Sequence, residues 1–313
     1  MKGPHAQSLL AASPRVASRA PVVPAPASLA AQELEALLRR RQVIVADLPS
    51  PGPDPDGERR LASALAGKVD LALLGDAPWA RLQLPPAVRA SIVAGEGLRP
   101  WAALDCRDRT QLALRSELAA LAAVGAPAVH CTTGRPPQLA PGSEADGVFE
   151  LDGIGLASLA AQTGLVVSVA ESSAAPPIHT RPLRAATKAE AGAGILFVTH
   201  TADPKSLAHF VAVTRAMAPK LRILVRLPMV ISRAGAERLA AIWRGPLPAW
   251  VLEPLESRDP AGASISAVAE VAADRLGIDG VDGIALTAPA GADEELEVAR
   301  ALAGVGQILG GGS

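Results

Sequence analysis

Short apolar runs recur along this chain, each closed by a charged or hydroxyl residue and followed by a stretch with helical spacing. The runs are Gln42–Asp47, Val69–Leu74, Arg99–Leu104, Pro127–Thr132, Leu165–Ala170, Gly194–Thr199, Leu221–Arg226 and Gly283–Thr287. Val43-Ile44-Val45, Leu71–Leu74, Val166–Val169, Ile195–Val198 and Ile223–Val225 are apolar at almost every position. Parallel strands covered on both faces read this way. Between the runs, Arg109–Val124, Leu151–Thr163 and Pro204–Ala218 repeat apolar residues at helical spacing; Leu112, Leu118 and Leu121 are expected to share a buried side. The proline pairs Pro85-Pro86, Pro136-Pro137 and Pro176-Pro177 mark loops. Alternating strand and helix repeated eight times predicts an α/β chain folded as a single (β/α)8 TIM barrel. The long stretch between the seventh and eighth runs predicts extra helices there, including Ala234–Trp243 and Ser264–Leu276, with no second domain.

In such a barrel the chemistry sits where strands end and the following loops begin. The residues at those places are Asp47, Gly75, Asp76, Asp105, Arg107, Thr132, Thr133, Arg135, Glu171, Thr199, His200, Arg226 and Thr287. They mix carboxylates, cations, hydroxyls and one histidine, which suits a polar small-molecule substrate.

Composition narrows the class. Apolar residues make up 49% of the 313, enough for a barrel core, yet no apolar run is long enough to span a membrane. Net charge is −1, which gives no basic field for nucleic acid or lipid, and aromatics at 2% leave little for base stacking. Cys106 and Cys131 lack a metal-ligand spacing, so no metal site is expected, and two unpaired thiols fit a reducing, cytoplasmic setting. Residues 1–32 contain no Asp or Glu and are rich in Ala and Pro. A disordered tail is expected there in preference to a transit peptide, because the prolines break any amphipathic helix. The barrel is expected over 33–306 and a flexible Gly-rich end over 307–313.

Five stretches, in order, carry a resemblance. Cys106-Arg-Asp-Arg-Thr-Gln-Leu-Ala-Leu-Arg-Ser-Glu-Leu118 follows the third strand. Gly147-Val-Phe-Glu-Leu-Asp-Gly-Ile-Gly-Leu156 precedes the fifth. Pro51-Gly-Pro-Asp-Pro55, Lys188-Ala-Glu-Ala-Gly-Ala193 and Leu247-Pro-Ala-Trp250 complete the set. Together they resemble the methylenetetrahydrofolate reductase family, whose members are TIM barrels that reduce a folate with FAD and NAD(P)H. The resemblance implies a tetrahydrofolate derivative as ligand, with Asp47 as the acid at the first strand end; His200 and Glu171, at other strand ends, are read as further catalytic groups. Of the family's phosphate-gripping region Lys188 is retained; by their place at the strand ends, Arg135, Asp105, Arg107, Arg226 and Thr199 are read as substrate contacts and Thr132, Thr133 and Gly75 as further cofactor contacts.

The departures from the family pattern fall on the chemistry. Asp47 stands where the family has Glu, Ala103 where it has a flavin-contacting His, Arg135 where it has Asp, and His200 where it has Gln. Glu171-Ser172-Ser173 replaces an aromatic and a proline near the flavin, and Thr187 replaces the Arg before Lys188. Arg135 would repel the donor edge of a pterin and suits an anion. Lys188, Arg184 and Arg181 are the cations left for an FAD pyrophosphate. The expectation is therefore a divergent reductase-like protein of one-carbon folate metabolism in which FAD is held weakly at best. The alternatives are a flavin-free folate-dependent one-carbon transferase or lyase, and a non-catalytic partner subunit of a reductase or methyltransferase. Either a homo-oligomer or a partner subunit is compatible with the sequence.

Overall fold

The computed structural model describes residues 25–75, 82–135, 146–199, 203–243 and 247–312. Among the described residues helix α1 (Leu29–Arg40) comes first, and strands and helices then alternate. β1 (Val43–Asp47), α2 (Pro55–Leu65), β2 (Leu71–Leu74), α3 (Pro86–Gly95), β3 (Arg99–Asp105) and α4 (Gln111–Ala123) come first. β4 (Ala128–Thr132), α5 (Gly153–Ala160), β5 (Val166–Ser172), α6 (Arg181–Glu190), β6 (Ile195–Thr199) and α7 (Pro204–Met217) follow. β7 (Arg222–Pro228) leads into α8 (Arg233–Ile242), the short α9 (Ala249–Leu252) and α10 (Pro260–Leu276). β8 (Gly283–Thr287) and α11 (Glu295–Ile308) end the chain. All eight strands are parallel neighbours in sequence order, and β1 pairs with β8, so the sheet closes into a barrel. The (β/α)8 expectation holds, and the extra helices fall between the seventh and eighth strands as the pattern required.

Two apolar layers hold the barrel. Strand residues of one parity, among them Ile44, Ala46, Ala72, Leu104, Val129, Val167, Val198 and Ile284, face the helices. Residues of the other parity fill the lumen: Val43, Val45, Leu71, Leu73, Trp101, Ala128, Val166, Ile195, Phe197, Leu224 and Ala285. Side chains alternate along a strand, so this second set is a period-two register that fixes which residues reach the mouth.

Helix α1 joins the lumen layer. Ala31, Leu34 and Leu38 lie against those lumen residues and cover the N-terminal end of the barrel. Ser28 caps the helix by accepting from Ala31 N, and Ser28 N donates to Gly164 O. Helix α1 thus lies partly inside the segment 1–32 that the prolines marked as tail; residues 1–24 of that segment lie outside the described residues. At the other end α11 runs to Ile308, and Gly312 N donates to Asp70 Oδ1 at 3.1 Å. The glycines there are packed against the chain, since a Cβ on Gly311 would stand 2.7 Å from Lys68 O. The end expected to be flexible from 307 is therefore docked through 312. In α4 the buried side is Leu114, Leu118 and Leu121, while Leu112 is 76% exposed, one helical face away from where the spacing put it. No helix among the described residues is long and apolar enough to cross a membrane.

Candidate functional site at the barrel mouth

Extending the lumen parity by one step from each strand's last apolar lumen residue gives the mouth. Asp47 follows Val45, Thr199 follows Phe197, Arg226 follows Leu224 and Thr287 follows Ala285. Asp105 lies two steps beyond Trp101 and Thr132 two beyond Ala128. Six residues expected from the strand ends thus converge on one opening, because a barrel brings all C-terminal strand ends together.

Asp47, Arg226 and Thr287 form one linked group across the closing seam. Arg226 donates from an Nη to Asp47 Oδ2, and Thr287 donates to the same oxygen at 2.5 Å. The register places this group, since Arg226 faces Ala285 on β8 and Ala46 on β1 faces Leu286. Asp47 Oδ1 is buried and accepts no hydrogen bond from the described residues. A buried carboxylate oxygen without a donor is costly unless a ligand or proton meets it. Arg226 is only partly buried, and its bonds to Asp47 and Thr287 both come from one Nη, so its other guanidinium donors are not spent on these two groups.

On the opposite side, Thr132 Oγ1 donates to Asp105 Oδ1. Gly134 lies directly against that carboxylate: its φ is +73° and a Cβ there would stand 2.9 Å from Asp105 Cβ. Only glycine meets both conditions, so Gly134 shapes the β4 rim around Asp105.

The remaining sequence-derived residues have other positions. Glu171 is one residue out of parity with the lumen and faces α6. It accepts from Arg181 Nη1 at 2.9 Å, Arg184 Nε at 3.2 Å and Lys188 Nζ at 2.7 Å, and Lys188 also donates to Ala170 O at 2.6 Å. Burial alone would raise the Glu171 carboxyl, but the bonds from Lys188 and Arg181 and the Lys188 charge outweigh it and hold it below the usual carboxylate range. Glu171 and Lys188, read as catalytic and cofactor-binding, are thus brought to each other and away from Asp47. Arg107 donates to Val148 O and Leu151 O at 3.2 and 2.9 Å and lies over the Phe149 ring, so it staples the β4–α5 loop. Thr133 is exposed and accepts from Gly153 N at 2.9 Å. Arg135 is exposed on the β4 rim. Gly75 O accepts from Arg89 Nη1 at 3.1 Å, and Arg89 Nε donates to Glu58 at 2.8 Å in a fully buried ion pair. His200 and Asp76 lie outside the described residues.

The sequence reading passed over the polar group beneath the mouth. His130, Ser168 and Trp101 lie in the lumen, each 2% exposed or less. The signal was available: His130 is two residues before Thr132 and so shares its face. Cys106 and Cys131 face the helices instead, and burial pushes the Cys106 thiol up to about 11, so neither is a nucleophile of this site. Among the described residues no group of three or more His, Cys, Asp or Glu side chains forms a metal-binding cluster.

No protein-family model matches the chain, and no curated sequence does. Solved structures do match. An uncharacterized protein from Clostridium thermocellum that binds two copies of 5-methyl-5,6,7,8-tetrahydrofolic acid superposes with a TM-score of 0.58. It is 13% identical, over 87% of this chain and 97% of that one. The EDTA monooxygenase of Chelativorans sp. BNC1 superposes with a TM-score of 0.52 at 15% identity, over 86% and 94%. Oxaloacetate acetylhydrolase superposes with a TM-score of 0.50 at 12% identity, over 82% and 80%. At these identities the likeness is one of fold, and the fold is shared by several chemistries.

Proposed function

We propose that this barrel binds a reduced folate at its C-terminal mouth and acts on it in one-carbon chemistry, with Asp47 as the proton-handling group. The observation that carries the reading is Asp47 itself. It occupies the strand end at which the family resemblance puts the catalytic acid, with one oxygen held by Arg226 and Thr287 and the other bare. The bare oxygen is the atom that exchanges a proton with a ligand nitrogen, while the held oxygen fixes the carboxyl plane. Arg226 and Thr287 are then positioning residues, and the spare Arg226 donors meet an acceptor on the ligand. The folate-binding protein of the same fold supports the substrate class.

A flavin does not fit the residues present. The three cations left for its pyrophosphate all bond Glu171, whose side chain is 3% exposed, so an incoming phosphate would compete with a buried carboxylate for them. Ala103, in place of the expected histidine, offers the ring no polar contact. The chemistry proposed is therefore a flavin-free one-carbon transfer or lyase step, and FAD-dependent reduction is the second reading, resting on sequence resemblance alone.

Calorimetric titration with 5-methyltetrahydrofolate and a visible spectrum of the purified protein test this. Saturable 1:1 or 2:1 binding, at least 10-fold weaker in Asp47→Asn, and no flavin band are expected. Absence of folate binding would overturn the reading; a yellow protein with stoichiometric flavin would return it to the reductases.

A further inference from the structure

We propose that the floor of the lumen is a ligand subsite in which His130 acts as a hydrogen-bond acceptor, selecting a neutral N–H or O–H donor group on the bound molecule. The subsite deepens the folate reading above and rests on it. Its first support is hydrogen-bond arithmetic around Ser168. Trp101 Nε1 lies 3.0 Å from Ser168 Oγ, His130 Nδ1 lies 2.9 Å from it, and Val129 O lies 3.3 Å from it. Indole nitrogen only donates, a carbonyl only accepts, and the hydroxyl has a single proton. If Nδ1 were bare, the serine proton would go to it and the Val129 contact would be no bond. Only the Nδ1–H tautomer lets all three contacts be hydrogen bonds. His130 Nε2 is then a bare lone pair, and it has no partner among the described residues.

The second support is the shape of the lumen. His130 packs edge-on against Phe197, with ring centroids 4.9 Å apart. Phe197 is the register partner of Ala170 on β5, and Ala170 is partly exposed although it faces the lumen. Ala170 lies one lumen step beyond Ser168, the register partner of His130, so the opening reaches the layer directly above His130. Ala103, the register partner of His130 on β3, adds little bulk beside it. A ligand group occupying that layer meets at its floor one neutral acceptor, His130, set among the apolar side chains of Phe197, Trp101 and Ala103.

The charge state agrees. Burial, followed by the nearby Arg226 and Lys188 cations, lowers the His130 pKa to about 3. The imidazole stays neutral over the whole working range, so it accepts a bond and does not serve as an acid. Asp47 Oδ1, also bare, is a second acceptor of the same mouth. These two acceptors favour a donor-rich edge, such as the amide and amino face of a reduced pterin.

The test uses the full-length protein with 15N-labelled histidine and two probes, 5-methyltetrahydrofolate and 6-methylpterin. The free protein should show His130 as an Nδ1–H tautomer that does not titrate between pH 8 and 5. Saturation with either probe should move the Nε2 resonance in the direction of an accepted hydrogen bond. His130→Phe should weaken both probes about 5- to 10-fold, the loss of one hydrogen bond to a buried neutral group. Ser168→Ala keeps the ring but removes the tautomer lock, and should weaken them by a smaller factor. Binding in wild type with an unmoved Nε2 signal, or with unchanged affinity in both variants, overturns the subsite alone. Failure of wild type to bind either probe overturns the subsite and the folate reading together.

Discussion

Truncating Leu34 to alanine should destabilise this protein by about 3–4 kcal/mol, although the residue belongs to a helix outside the repeating βα pattern. Leu34 is fully buried and packs with Ala31 and Leu38 on the lumen residues at the bottom of the barrel. Those neighbours are strand side chains fixed by ladders on both sides, so they cannot collapse into the space a methyl-for-isobutyl change leaves. The cost therefore includes most of the cavity term as well as the transfer term. At roughly 2–4 °C per kcal/mol for a domain near this size, the melting temperature should fall by about 6–16 °C in a circular-dichroism or calorimetric scan. Leu29→Ala is the internal control, because Leu29 is 73% exposed on the same helix and should change stability by no more than about 0.5 kcal/mol. Well below the transition, Leu34→Ala should leave ligand affinity at the mouth unchanged, since α1 covers the opposite end. A Leu34→Ala protein that melts within about 1 °C of wild type would refute the docking of α1. So would equal losses in the two variants, which would point to helix propensity in place of burial.

Three other outcomes follow from particular contacts. Arg89→Met alone should cost about 3–5 kcal/mol in urea unfolding, because it strands the Glu58 carboxylate, already raised in pKa by burial and only partly offset by Arg89; adding Glu58→Leu should recover most of that loss. Equal stability of the single and double variants would show that Glu58 is not buried as a charge. Glu171 has its folded pKa held below the usual 4.5, so its stabilisation is present above that value and is lost as pH falls through the lowered one. The stability gap between wild type and Glu171→Gln should be large at pH 7 and close steadily below about pH 4; a gap independent of pH would discount the ion cluster. Thr287→Val removes one of the two donors to Asp47 and should reduce folate affinity or turnover about 5-fold, with Thr287→Ser restoring it; no change in either would release Asp47 from this positioning.

The sequence by itself determined the architecture. Runs apolar on both faces separated by amphipathic stretches can bury their surface only as parallel strands inside a ring of helices, so eight repeats lead to a closed barrel without any long-range information. It also determined that Asp47, Asp105, Thr132, Thr199 and Arg226 lie at one end, because strand ends of one polarity share one face. Tertiary structure alone decided which of those residues face one another. Glu171 and Arg226 both close an apolar run, yet a one-residue difference in parity sends Glu171 to α6 and its three cations and Arg226 to Asp47. Parity is set by the register of neighbouring strands, which depends on pairing partners far apart in the chain. The same cause hid His130: within its strand it reads as an isolated polar residue, and its partners Trp101 and Ser168 come from the strands on either side. Helix α1 was concealed differently, by the Ala/Pro composition that precedes it, and only the open N-terminal end of the finished barrel supplies the apolar surface that Leu34 and Leu38 cover.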